Sequence, residues 1–210
     1  MLPHAGQPVE TRGPKPEDAR AAMIMIHGRN ATPRSILELV SLIGLKDIHY
    51  VAPSAASNTW YPFSFLTETS KNEPGISSGY FVIDGLVDDL IARGLTRDRI
   101  FMLGFSQGGC LATTYVARHA GRYGGVFGLS AGLIGPPGTE WNFQGSFEGT
   151  PVFLGCSDID NHIPRERVEE SAEVFQRMGA NVTMRIYPNM AHTVNTDEVI
   201  FIRESLATTT

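Results

Sequence analysis

Residues 100–109 read Ile-Phe-Met-Leu-Gly-Phe-Ser-Gln-Gly-Gly, and this stretch limits the fold more than any other part of the chain. An apolar run, Ile100 to Leu103, enters a Gly-x-Ser-x-Gly turn, and a helical pattern from Cys110 to His119 leaves it. A strand that turns into a helix over a serine between glycines is a sharp, strained corner. Side chains at the glycine positions would collide with the neighbouring strand and helix. Such a corner belongs at the end of a strand in a sheet covered by helices. It also lifts Ser106 to the start of a helix, where backbone N–H groups face any negative charge that forms. The plainer alternative is an ordinary βα turn with a serine N-cap.

The rest of the chain supplies the sheet. Strand-like and helix-like segments alternate. Ala21 to Ile26 is a short continuous apolar run, as expected of a strand buried on both faces. Thr32 to Ser35 opens a helix whose Ile36, Leu39, Val40 and Ile43 recur at helical spacing. Strands are predicted over Asp47–Ala52, Ile100–Phe105, Gly125–Ser130, Pro151–Gly155 and Asn181–Tyr187. Helices are predicted over Tyr80–Arg93, stopped by Gly94, then over Arg165–Met178 and Asp197–Leu206. Residues 53–79 and 132–149 read as long loops, and the terminal threonines 208–210 as a frayed end. Repeated βα units imply an α/β fold, a mostly parallel sheet with helices on both faces. A length of 210 residues suits a single domain, residues 1–210, with no large cap.

Composition narrows the partners. The net charge of −5, with no basic run, gives no reason to expect nucleic acid. No apolar run approaches the ~20 residues of a membrane span, so no stable membrane anchor is expected. Residues 1–13 lack the apolar core of a signal peptide. Cys110 and Cys156 both fall where small buried thiols are common, which argues against a disulfide and for cytoplasmic residence. A homodimer is left open by the sequence.

A serine hydroxyl becomes a useful nucleophile only beside a base, and the base needs a carboxylate to fix its tautomer. In chains with this corner the order is serine, acid, histidine. Of His119, His162 and His192 downstream of Ser106, His119 falls at the far end of the helix and reads as a solvated cation. His192 lies in a loop between the last strand and the last helix, where the base must come from. Two aspartates, Asp158 and Asp160, follow the preceding strand, and either could orient His192 while the other forms a turn. With His162 they suggest a metal only weakly, because no further spaced ligand supports it; neither metal nor cofactor is expected. The oxyanion needs two N–H donors. Gln107 supplies one from its backbone; the loop His27-Gly28-Arg29-Asn30 should supply the other through Arg29, with Gly28 allowing close approach.

With these residues in hand the chain resembles the carboxylesterase/phospholipase family of small serine α/β-hydrolases, which includes the acyl-protein thioesterases. The likeness runs from Ala22 to the final helix. It rests on Ile26-His27-Gly28, on Gly104 to Gly109, on the Asp158-x-Asp160-x-x-Ile163-Pro164 stretch and on Ala191-His192. Laid on the family pattern without a gap, Asp160 takes the place of the acid; a shift in register would select Asp158. Cys156-Ser157 replaces the family's His-Gly, and Asn161 its proline. Arg29-Asn30 replaces its Leu-Gly, which implies a more polar and cationic mouth.

The resemblance implies a carboxylic ester hydrolase working through an acyl-enzyme on a small-molecule ester. Trp60, Tyr61, Phe63 and Phe65, with Leu133 and Ile134, are candidates to wall a shallow apolar acyl site, which points to short-chain esters. Lysophospholipase and acyl-protein thioesterase activities are the near alternatives. A non-catalytic binding protein on the same fold is the distant one.

Overall fold

The computed structural model describes residues 2–208; of the frayed end expected over 208–210, Thr209 and Thr210 lie outside the described residues, whereas Thr208 still caps the final helix, its N–H bonded to Glu204 O at 3.2 Å. Its strands are β1 (Val9–Arg12), β2 (Ala21–Ile26), β3 (Ile48–Pro53), β4 (Ile100–Phe105), β5 (Gly125–Leu129), β6 (Pro151–Ser157) and β7 (Asn181–Tyr187). Its helices are α1 (Pro33–Ile36), α2 (Leu39–Ile43), α3 (Gly75–Ala92), α4 (Gln107–Arg118), α5 (Arg165–Arg177) and α6 (Thr196–Ala207). The strands form one sheet in the order β1-β3-β2-β4-β5-β6-β7. All neighbours are parallel except β1, which runs antiparallel along β3.

The continuous apolar runs are explained by burial on both faces. Along β2, Ala22, Ile24 and Ile26 point into a core shared with α3, α4 and α5, whereas Ala21, Met23 and Met25 point into a second core with α1, α2 and α6. Chain direction across the sheet reverses between β2 and β4, since β3 lies on one side of β2 and β4 to β7 on the other. In open parallel sheets a crevice opens there, beyond the carboxyl ends of the strands. The ends of β2 and β4 carry the His27–Asn30 loop and Ser106.

Three elements differ from the sequence reading. The single helix expected from Thr32 is two, because at residues 38–41 the bonds switch from i−4 to i−3, as in Glu38 N–H to Ser35 O (3.3 Å) and Val40 N–H to Leu37 O (3.2 Å). Helix α3 starts at Gly75, five residues before the predicted Tyr80. Its first turn, Gly-Ile-Ser-Ser-Gly, has poor helix propensity, and packing overrides it: Gly75 lies against the backbone of Trp60 and Tyr61, and Gly79 against Leu111. Strand β1 has no apolar alternation to announce it; only its backbone is used, in register with β3 from Val9 opposite Pro53 to Arg12 opposite Tyr50.

Candidate active site

At the end of β4, Ser106 has φ 54° and ψ −123°, a conformation that non-glycine residues rarely adopt. Its surroundings enforce it. A Cβ on Gly104 would meet the Gly108 carbonyl oxygen at 2.5 Å, and one on Gly108 would strike the carbonyl oxygens of Ile26 and His27. Helix α4 is thus pressed onto β2 and β4 as no side chain would permit. The Ser106 N–H is fixed by the Leu129 carbonyl at 2.9 Å and its carbonyl by the Cys110 N–H at 2.9 Å.

His192 stands over this corner. Its Nε2 lies 2.8 Å from Ser106 Oγ and its Nδ1 2.6 Å from Asp160 Oδ2. A carboxylate can only accept, so Nδ1 carries the proton and donates. In the neutral ring Nε2 is then free to accept the Ser106 hydroxyl proton. Two rings contact the imidazole, Phe105 at 5.0 Å and His162, edge-on, at 4.8 Å.

Asp160 is equipped to stay ionised. Its side chain is fully buried, and burial pushes its carboxyl upward. The bonds from His192 and from the N–H groups of His162 (2.8 Å) and Ile163 (3.0 Å) outweigh that and hold it below the usual carboxylate range. Asp158 is exposed and turned away; its Oδ1 accepts the Asn189 N–H at 2.8 Å. It ties down the start of the loop that carries His192. His119 lies at the other end of α4, its Nδ1 3.0 Å from the Tyr115 carbonyl oxygen.

The expected oxyanion donors converge. A Cβ on Gly28 would sit 3.5 Å from the Ser106 Cβ, which places the Gly28–Arg29 backbone beside the serine. Arg29 and Gln107 line the same cavity as Ser106 and His192, and among the described residues neither backbone N–H has an acceptor within the protein. Buried His27 holds the loop: its Nδ1–H donates to Gly28 O (2.8 Å) and its Nε2 accepts the Ala55 N–H (3.2 Å). Burial lowers its affinity for a proton and keeps it neutral.

Residues 12–210 match the family described as Phospholipase/Carboxylesterase. The chain belongs to that family. Among similar proteins, a phospholipase/carboxylesterase from Dyadobacter fermentans DSM 18053 superposes with a TM-score of 0.93 at 34% identity, covering 99% of both chains. Lysophospholipase-like protein 1 of Mus musculus is 25% identical over 85% of this chain and 82% of its own length. Acyl-protein thioesterase 1 of Gibberella zeae is 31% identical over 65% of this chain and 61% of its own. Esterase PE8, at 20% identity and a TM-score of 0.78, shares the fold. The chain is therefore a serine hydrolase of the phospholipase/carboxylesterase family, a carboxylic ester hydrolase with the α/β-hydrolase fold.

In this family member the cavity at Ser106 measures about 520 Å³. Tyr61, Phe63 and Phe65 line it, with Ile163 and Cys110. Trp60 and Leu133, expected in the wall, do not reach it. Trp60 is fully buried because both its N–H groups are needed inside: the indole donates to His27 O and the backbone to Gln107 Oε1, each at 2.9 Å. Leu133 is drawn into the core through its backbone: its N–H donates to Ser171 Oγ at 2.8 Å and its carbonyl accepts from buried Arg167 at 2.9 Å. Ile134 is likewise core.

Two side-chain roles escaped the sequence. Gln107, expected to act through its backbone alone, clamps the wall with its amide: Nε2 donates to Tyr61 O at 2.7 Å while Oε1 accepts from Trp60. Arg29 spans the mouth, donating to the carbonyls of Pro62 (2.9 Å) and Phe63 (2.7 Å) over the Tyr61 ring. Both join segments far apart in sequence, so neither has a local signature. Among the described residues no cluster of three His, Cys, Asp or Glu is disposed to hold a metal. No helix there is long and apolar enough to cross a membrane. Burial pushes the Cys110 thiol up to about 12, so it lines the cavity as an inert apolar group.

The far end of the His192 loop is tied by α6. Asn195 Oδ1 accepts the Glu198 N–H and Glu198 Oε2 accepts the Asn195 N–H, both at 2.9 Å. Glu198 Oε1 is buried with no partner among the described residues, and burial pushes the carboxyl up to about 7. A carboxyl raised in the folded state stabilises least when ionised: stability is full below the ordinary value of 4.5 and falls as pH rises toward and past 7. Glu198→Gln mimics the protonated form. It is expected to raise the Tm at pH 8 by several degrees, the penalty removed being at most roughly 3 kcal/mol, and to change it little at pH 4.5. Thermal unfolding across that range checks this; parallel curves for the two proteins would exclude the charge as the cause.

Proposed function

We propose that the enzyme is a carboxylesterase for short-chain esters, with Ser106 as nucleophile, His192 as general base and acid, and Asp160 as the group that orients His192. The observation that carries this reading is the unbroken line of hydrogen bonds from Asp160 through His192 to Ser106. His192 Nε2 takes the Ser106 proton as Oγ attacks the ester carbonyl. The Arg29 and Gln107 N–H groups receive the oxyanion, reinforced by the start of α4. His192 passes the proton to the departing alcohol, leaving an acyl-enzyme. Water, activated in the same way, releases the acid.

The cavity wall supports short acyl chains. Of the residues that line it, Tyr61, Phe65 and Cys110 are buried, whereas Phe63 is 55% exposed. Along a p-nitrophenyl ester series kcat/KM is expected to be highest between acetate and butyrate and at least tenfold lower by octanoate. A maximum at long chains, or at palmitoyl thioesters, would instead favour the lysophospholipase or thioesterase reading. A fluorophosphonate probe should label Ser106 of the folded protein; absence of labelling together with absence of turnover would favour a binding protein. The free, buried state of Cys110 and Cys156 fits residence in the reducing cytoplasm.

A further inference from the structure

Arg29 carries a charge that the hydrolysis of a neutral ester does not use. Its guanidinium carbon lies 5.9 Å from the centre of the Tyr61 ring, and its N–H groups donate to the carbonyls of Pro62 and Phe63. These three residues line the cavity at Ser106, and so does Arg29. No Asp, Glu or Lys lines it. Among the described residues no carboxylate forms an ion pair with Arg29. The two carbonyls occupy two of the five guanidinium N–H groups, which leaves three to donate elsewhere.

The same two bonds prepare the guanidinium for a ligand. They hold a long side chain in one place, so an incoming group meets a fork already oriented and little rotamer freedom is lost on binding. A planar fork of N–H donors matches a carboxylate. The uncharged polar neighbours on the cavity wall, Asn30 and Ser64, do not compensate the charge. A neutral ester leaves it facing solvent, whereas an ester with a second, free carboxylate brings it a partner.

The chemistry at Ser106 fixes how far apart the two groups must be. Under the proposed mechanism the Arg29 N–H receives the oxyanion, so the ester carbonyl sits against the Arg29 backbone. The guanidinium of that residue is at most one arginine side chain away, which is the span of a short dicarboxylic acid. We propose that the enzyme takes monoesters of short dicarboxylic acids, with the ester carbonyl at Ser106 and the free carboxylate on the Arg29 guanidinium. The proposal rests on Ser106 acting as the nucleophile and on the cavity at Ser106 receiving the acyl part. The reaction remains hydrolysis: water enters, and the diacid and the alcohol leave. The net charge of −5 repels an anion at long range, so a preference for one has a local origin. Arg29 is then the residue that sets acyl specificity.

The test uses the whole chain at pH 8 and low salt. Monoethyl succinate, glutarate and adipate are each compared with the ethyl ester in which the free acid is replaced by its primary amide, a neutral group of the same shape. Products are measured by liquid chromatography. At the best chain length kcat/KM is expected to be about fivefold higher for the acid than for the amide, the gain of an exposed ion pair. The difference should lie in KM, because the pair forms on binding and does not change as the carbonyl reacts. Added salt should remove it. Arg29→Gln should bring the ratio to about one and Arg29→Lys should keep part of it. The ratio is taken within each protein, so any change at the carbonyl site divides out. Ratios near one at every length, a preference that survives high salt, or one that Arg29→Gln leaves intact would overturn the proposal. Should the variants fail to fold, the wild-type ratio and its salt dependence decide. Absence of hydrolysis of every ester, with Ser106 unlabelled by the fluorophosphonate, would be the separate result that removes the esterase reading itself.

Discussion

Ser106→Ala is expected to lower kcat for p-nitrophenyl acetate by about five orders of magnitude while leaving the fold intact. The size follows from the arrangement. In the proposed mechanism this hydroxyl forms the acyl-enzyme, and removing it would leave only substrate binding and the proposed oxyanion donors. The sparing of the fold follows from what Ser106 contributes to it. Its Oγ bonds to His192 alone, and its backbone bonds to Leu129 and Cys110 survive the change. Alanine must adopt the same φ of 54°, so the backbone strain, of order 1–3 kcal/mol, persists. Ser106→Gly relieves that strain and should be equally inactive yet more stable than Ser106→Ala by about 1 kcal/mol. Turnover assays and thermal melts on the two variants separate these effects. A variant that unfolds, or an Ala enzyme with near-normal turnover, would refute the assignment of Ser106.

The corner at Ser106 was legible because its requirements are local. Gly104 and Gly108 are demanded by backbone contacts within a few residues or with the adjacent strand, so glycine itself is the signal. The parallel sheet was legible for a similar reason: strands buried on both faces leave continuous apolar runs. What could not be read depends on side chains meeting across the fold. Trp60 and Phe63 look alike as aromatics in one loop, yet one is fully buried with both N–H groups engaged and the other is 55% exposed. Nothing local to either distinguishes them. Gln107 and Arg29 hold the wall through partners 33 to 47 residues away. The early start of α3 is another case, where packing on the Trp60–Tyr61 backbone overrode a glycine- and serine-rich turn.

Asp160 and Asp158 were indistinguishable in spacing alone, and their substitutions are expected to differ by about a thousandfold. Asp160→Asn keeps the shape of the side chain. Its Oδ1 can still accept the N–H groups of His162 and Ile163, which turns the amide NH₂ toward His192 Nδ1. That nitrogen must then be unprotonated, and the ring proton moves to Nε2, which faces Ser106. A base with its proton already in place cannot take another, so kcat should fall by on the order of 10⁴. Asp158→Ala removes only an anchor of the Asn189 N–H, an interaction of about 1 kcal/mol at an exposed site, and should cost less than tenfold in kcat. The acid dependence of stability distinguishes them too. Because the folded state depresses the Asp160 carboxyl, its stabilisation is present above the ordinary carboxylate range and lost as pH falls through the lowered value. Asp160→Asn should therefore weaken the dependence of Tm on pH in acid. Equal losses of kcat in the two variants would mean that the His192 loop, and no single carboxylate, sets the tautomer; the reverse ranking would move the acid to Asp158.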